Sequence, residues 1–223
     1  MVIIGHRGAK GIAQENTINA IRIGLKLAGG VEFDVRATKD KIPVLNHDAG
    51  IFDTSGKRHL IKENSYARLK KYRPELATLE EALSLKYGKA QLFIEIKPFE
   101  PTEPIVKIIK KCLRRNGLDV TIGSFDFEVL KSVRSQMPET KLFINERWSS
   151  LRAEWRARQL NTNIINIYHR SLWFGLISRL HRQGFLVFTY TLDDPKKARS
   201  WQKYGLSGLF TDFPDLYKRK PTR

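Results

Sequence analysis

The sequence predicts an α/β fold of the TIM-type (β/α)8 barrel class, built from nearly all of its 223 residues. Two observations carry that expectation. Short β-branched runs alternate with longer amphipathic segments along the whole chain, and repeated βα units imply parallel strands joined by crossover helices. The length and a hydrophobic fraction of 41% suit one domain with a substantial core. No internal repeat, low-complexity linker or composition shift divides the chain, so a single barrel domain is expected over 1–223. A short insertion is expected at about 48–77 and a basic tail at about 216–223.

The extended candidates, in order, are 2–4, 31–35, 42–45, 92–96, 120–122, 141–144, 164–167, 186–190 and 208–211. Helical periodicity marks 18–28, 79–86, 103–115, 127–135, 150–159, 172–183 and 195–204. Nine extended segments exceed a barrel's eight. However, 31–35 and 42–45 are separated by no helix, only by Lys39-Asp40-Lys41. A hairpin there leaves eight βα strands. Centred between Asp40 and Lys41, it predicts Asp34 opposite His47.

The formal net charge is +17, from 40 Lys+Arg against 23 Asp+Glu, so anionic partners are attracted. The basic residues are scattered, as a solvated, solubilising surface would have them. Cys112 is the only cysteine and lies in an amphipathic stretch, so a disulfide framework within the chain is excluded. The first apolar run, Val2-Ile3-Ile4, is too short for a signal peptide, and no run approaches the ~20 apolar residues of a membrane span. A cytoplasmic protein is expected. The four tryptophans, Trp148, Trp155, Trp173 and Trp201, would suit an anionic interface if exposed, but at helical positions they read rather as packing residues.

Chemistry-bearing residues concentrate at strand positions. In Glu32-Phe33-Asp34, alternation aims both carboxylates at one face, and Glu95 and Lys97 share a face of a later strand. Three carboxylates meeting inside a barrel describe an oxygen-rich site for a hard divalent cation, Mg²⁺ or Ca²⁺. The competing reading is a buried network in which Lys97 neutralises Glu95 and Arg36 a neighbour. His6 and His47 follow strand ends, and a histidine pair suits acid/base cleavage of a phosphodiester near neutral pH. Arg7 and Lys97 offer donors for the phosphate.

Together these residues resemble the glycerophosphodiester phosphodiesterase family. The resemblance runs through Ile4-Gly5-His6-Arg7-Gly8, Glu15-Asn16-Thr17, Glu32-Phe33-Asp34-Val35, Thr38-Lys39-Asp40, Val44-Leu45-Asn46-His47-Asp48 and Ile94-Glu95-Ile96-Lys97, and later through Gly208 to Asp215. It implies a TIM-type barrel that cleaves small glycerophosphodiesters to glycerol 3-phosphate and an alcohol. Glu32, Asp34 and Glu95 would hold the metal, His6 and His47 would act as acid and base, and Glu15 would orient Arg7 or a histidine. Gln14 replaces the family's usual proline, and Tyr190-Thr191-Leu192-Asp193 replaces a usual tryptophan-led motif. Tyr190 would keep an aromatic wall, whereas Asp193 would place an anion where an amide is usual.

Two rival readings share these residues. A lysophospholipase D, sphingomyelinase-D-like or phosphoinositide-specific enzyme would use the same barrel at a membrane. A non-catalytic basic barrel would hold nucleic acid or an acidic membrane by charge. The intact set His6, Arg7, Glu32, Asp34, His47, Glu95 and Lys97 argues against the second, since three mutually repelling acids have no purpose there. Nucleic acid is therefore not expected as a partner, a membrane surface is not required, and the oligomeric state is not readable.

Overall fold

A computed structural model describes residues 1–218. The elements run β1 (Val2–Gly5), α1 (Ile18–Leu27), β2 (Gly30–Ala37), β3 (Pro43–Leu45), β4 (Gly50–Phe52), β5 (Arg58–Leu60), α2 (Tyr66–Tyr72) and α3 (Leu79–Leu83). They continue β6 (Gln91–Ile96), α4 (Thr102–Asn116), β7 (Val120–Ser124), α5 (Phe127–Gln136), β8 (Lys141–Glu146), α6 (Ser150–Gln159), β9 (Ile164–Tyr168), α7 (Phe174–Arg182), β10 (Leu186–Tyr190), α8 (Pro195–Gln202) and β11 (Leu206–Thr211). Strands β1, β2 and β6 to β11 pair in parallel, and the β1–β2 pairing, Ile4 with Gly30 and Gly5 with Val31, closes them into an eight-stranded barrel. The expected TIM-type fold is the observed one. Of the expected basic tail, residues 219–223 lie outside the described residues.

Alternation along each strand sorts the side chains into two cores. Outward-facing Val31, Phe33 and Val35 of β2, Leu92, Ile94 and Ile96 of β6, and Leu142 and Ile144 of β8 pack under the helices. Inward-facing Phe93, Phe143, Phe188 and Phe210 form a separate cluster with Ile4. Phe93 lies 5.4 Å from Phe143, 5.5 Å from Phe188 and 5.2 Å from Phe210, at the tilted or edge-on angles that aromatic quadrupoles favour. This phenylalanine layer plugs the barrel. Two residues further along β6, β8 and β10 the next inward side chains are Glu95, Asn145 and Tyr190, so a polar layer sits directly on an apolar floor.

Local signals start the helices where the barrel needs them. Thr17 accepts from Ala20 N–H to cap α1, Thr78 and Glu81 form a reciprocal capping box on α3, and Asp126 caps α5. Asp194 followed by Pro195 opens α8.

The structure changes two expectations. The β2–β3 hairpin pairs Val35 with Leu45, Arg36 with Val44 and Ala37 with Pro43, one residue out of the predicted register. Asn46, not His47, then stands opposite Asp34, donating its N–H to the Asp34 carbonyl at 3.1 Å. The cause is the turn: Lys41 N–H bonds to Thr38 carbonyl and Lys41 takes a left-handed φ of 59°, giving a three-residue loop rather than a two-residue one. The segment expected as an insertion carries elements that periodicity did not mark, the β4–β5 hairpin and α2, and Leu69, Leu76, Ile51 and Ile61 form a small core of their own against Val44.

Candidate active site

Every strand end that carries a reactive side chain opens on the same face of the barrel, the C-terminal one. β1 delivers His6 and Arg7, β2 delivers Glu32 and Asp34, the residues after β3 deliver His47, and β6 delivers Glu95 with Lys97 just beyond it. The β2–β6 register places Asp34 level with Glu95. Carboxylate oxygens of Glu32, Asp34 and Glu95 all lie within 4.8 Å of one another, and all three residues are buried. Asp34 and Glu95 line a cleft of about 730 Å³ together with His6, Arg7, His47 and Lys97, and Glu32 lies buried beside them. A larger cavity, about 1020 Å³, opens at the opposite end of the barrel beyond the phenylalanine layer, and holds no such cluster of carboxylates.

The strand-to-helix turn after β1 shows why the sequence folds this way. Gly8 has a φ of +87°, and a side chain there would strike the α1 backbone, 2.5 Å from Ala20 C. Only glycine allows its N–H to reach the Glu32 carbonyl at 2.8 Å. Arg7 and Asn16 also adopt left-handed φ values, 49° and 56°, a strain that their hydrogen bonds offset. Arg7 N–H donates to Glu32 at 2.8 Å, and Arg7 Nε lies 3.3 Å from Asp34. Asn16 donates to Asp34 at 2.8 Å and accepts Asp34 N–H at 3.0 Å.

Cations offset the acids only in part. Lys97 Nζ lies 2.8 Å from Asp34 and 2.5 Å from Glu95. Burial alone would raise the Asp34 pKa, but Lys97 and Arg7 outweigh it and hold this carboxyl far below the usual range. Burial, then the charges of Asp34 and Glu95, push Glu32 well above its ordinary value. Glu95 is raised too, burial outweighing its contact with Lys97. Glu32 Oε1 is buried without a hydrogen-bond partner among the described residues. Such an orphaned oxygen, beside two further carboxylates and no sulfur, is what a hard divalent cation requires, and the residues fit one. The buried-network reading is therefore only half met: Lys97 does neutralise Glu95, but Arg36 pairs with Glu100 at 2.7 Å and leaves the cluster alone.

The histidines are each engaged at one nitrogen. His6 Nδ1 lies 2.6 Å from Asp212, and His47 Nδ1 lies 2.8 Å from Asp48. Burial lowers the His47 pKa, and the positive charge of Lys97 lowers it further. Glu15 accepts from Arg7 at 2.9 and 3.0 Å. Tyr190 lines the cleft, its hydroxyl donating to the Glu146 carbonyl at 3.1 Å. Asp193 does not face the cleft as an anion. It accepts the Thr211 hydroxyl at 2.6 Å and the Asp212 N–H at 2.9 Å, and so fixes the loop that carries the partner of His6.

The chain matches the glycerophosphoryl diester phosphodiesterase family over residues 6–216. It belongs to that family. Among its relatives, the Bacillus subtilis protein YhdW, provisionally named for the same activity, is 30% identical over 97% of this chain and 96% of its own. The glycerophosphodiester phosphodiesterase of Caldanaerobacter subterraneus subsp. tengcongensis is 26% identical over 96% and 95%. A solved phosphodiesterase from Oleispira antarctica, in complex with the product sn-glycerol-3-phosphate, superposes with a TM-score of 0.85 at 27% identity, covering 96% and 93% of the two chains. As a glycerophosphodiester phosphodiesterase family member, the chain is a phosphoric diester hydrolase.

Five residues around this site were given no role by the sequence: Asn16, Asp48 and Asp212, which lie within the motifs that carry the family resemblance, and Asn145 and Asn166, which lie outside them. Asn145 donates to Glu95 at 2.8 Å, and Asn166 donates to Asn145 at 2.8 Å. A signal for Asn145 was present, since Phe143-Ile144-Asn145 repeats the inward spacing of Phe93-Ile94-Glu95. Asp212 stood in a motif of the resemblance, but its pairing with His6 was not readable, because 206 residues separate the two.

Glu146, at the end of β8, is a structural carboxylate on the same rim. It accepts the N–H groups of Arg147 and Trp148 at 2.9 and 3.0 Å and both Arg152 donors at 2.6 Å. Burial opposes ionisation, yet these donors bring its pKa down to about 2. An unfolded glutamate titrates near ~4.3, so its stabilisation is complete above that pH and is lost as pH falls towards 2. Glu146→Gln should cost about 1–3 kcal/mol at pH 7 and flatten that acid-side loss, as urea midpoints at pH 7 and pH 3 would show. An unchanged slope would remove Glu146 from this role.

Proposed function

We propose that this enzyme hydrolyses small glycerophosphodiesters to glycerol 3-phosphate and an alcohol, using a divalent cation held by Glu32, Asp34 and Glu95. The observation that carries the reading is the unpartnered Glu32 oxygen within a three-carboxylate cluster whose Asp34 and Glu95 line one cleft with His6 and His47. The product named for the Oleispira antarctica relative agrees with it. When bound, the cation would polarise a phosphoryl oxygen and lower the barrier to attack.

The chain's own groups do the rest. Arg7 and Lys97 lie where positive charge can balance the extra negative charge gathering on phosphorus. His47, its pKa lowered, is neutral at neutral pH and suits removal of the proton from the attacking hydroxyl. His6, with Nδ1 engaged by Asp212, keeps Nε2 for the leaving oxygen. As the new P–O bond forms, the bond to the alcohol breaks and that oxygen takes the proton. Attack by water gives glycerol 3-phosphate directly, whereas attack by the substrate's glycerol hydroxyl gives a cyclic phosphate that water then opens to the same product, and both routes use the same groups. Mg²⁺ and Ca²⁺ both suit the all-oxygen ligand set. One buried cysteine without a disulfide partner accords with a reducing cytoplasm.

The test is ³¹P NMR of the products from glycerophosphocholine. Glycerol 3-phosphate is expected; phosphocholine would mean that the opposite P–O bond breaks and would overturn the reading. Asp212→Asn should lower kcat by about 10- to 10²-fold with folding intact and KM little changed, because the His6 ring loses its Nδ1 partner. An unchanged kcat would show that Asp212 does not position His6.

A further inference from the structure

Helical spacing reads all four tryptophans as packing residues, and the structure keeps that reading for Trp201 alone, which is 7% exposed. Trp148 is 70% exposed and Trp173 57%, while Trp155 is also exposed. Trp148 and the exposed Leu151 lie in and just after the turn from β8 to α6, and Trp173 is the residue that precedes α7. Both turns follow strand C-termini, so these side chains stand on the catalytic face. They form one surface, because Ser171 of the second turn donates to the Arg147 carbonyl of the first at 2.6 Å.

Guanidinium groups are interleaved with these rings. Arg147 sits 4.8 Å over the Trp148 ring and 5.4 Å from Tyr168. Neither Arg147 nor the exposed Arg170 has a carboxylate within 4.0 Å among the described residues. The nearby acids are already engaged, Glu146 by Arg152 and Glu154 by Arg179, each at 2.6 Å. Exposed indoles beside uncompensated arginines on a chain of charge +17 match an interface that is apolar below and anionic at its surface.

We propose that the turns after β8 and β9 dock the catalytic face on an anionic lipid bilayer, with Leu151, Trp148 and Trp173 entering the headgroup layer and Arg147 and Arg170 meeting lipid phosphates. No helix among the described residues is long and apolar enough to cross a membrane, so the contact is peripheral.

The experiment is sedimentation of the full chain with vesicles of phosphatidylcholine alone or mixed with phosphatidylglycerol. The L151S/W173S variant touches no residue lining the cleft, and serine at position 173 provides a good helix N-cap, so folding is not threatened. The expected result is selective sedimentation with phosphatidylglycerol, reduced about tenfold in the variant, with glycerophosphocholine turnover unchanged. Equal partition of wild type and variant would reduce the contact to charge alone and overturn the proposal. So would equal binding to both vesicle types. No sedimentation, with dimerisation that the variant abolishes, would overturn it in favour of a second copy of the chain.

Discussion

His6→Ala and His47→Ala are each expected to lower turnover by at least about 10²-fold while the chain stays folded. The two rings approach the cleft from different elements and are held by different carboxylates, Asp212 for His6 and Asp48 for His47. In the proposed mechanism each handles one proton, and neither substitutes for the other. Both histidines sit at the ends of strands rather than in the phenylalanine layer, so their loss leaves the barrel floor intact. Thermal unfolding of the variants alongside their kcat separates the two effects. Near-normal turnover in either variant would remove that residue from acid/base chemistry.

Removing divalent cations is expected to have the larger effect, at least about 10³-fold, restored by adding Mg²⁺ or Ca²⁺. Without a cation, the cluster sets three carboxylates against Arg7 and Lys97, and burial then drives Glu32 towards its protonated form. Glu95→Gln should weaken metal affinity before it weakens folding, since Lys97 would still have Asp34 and Asn145 would still have an acceptor at position 95. Isothermal titration with Mg²⁺ and with Ca²⁺, beside a melting curve, measures both. A variant that unfolds yet binds metal as before would return Glu95 to a purely structural role.

Much of the barrel was legible because its signals are local. All nine expected extended segments became strands, since β-branched runs bounded by polar turns read the same in isolation as in the sheet. The inward pointing of Glu32, Asp34 and Glu95 followed from period-two alternation, and the barrel's closure then brought the three together. What failed depended on geometry that side-chain type does not encode. The β2–β3 register turned on whether Lys41 takes a left-handed φ, and one residue of loop moved Asn46 into the place expected for His47. Strands β4 and β5 and helix α2 lie in a stretch rich in charged and polar residues, where apolar side chains are too sparse to set a periodicity. Asp193 illustrates the same limit: its type announced a charge near the substrate, while its contacts with Thr211 and Asp212 made it a brace.

The most direct test of the central claim is glycerol 3-phosphate release from glycerophosphocholine and glycerophosphoethanolamine, with Mg²⁺, with Ca²⁺ and with chelator, for wild type and His6→Ala. The expected result is release that requires a divalent cation and is lost in His6→Ala. Release that persists in chelator or in His6→Ala would contradict the assignment of the site, and no release from either substrate, nor from lysophospholipids, would contradict the proposed reaction itself.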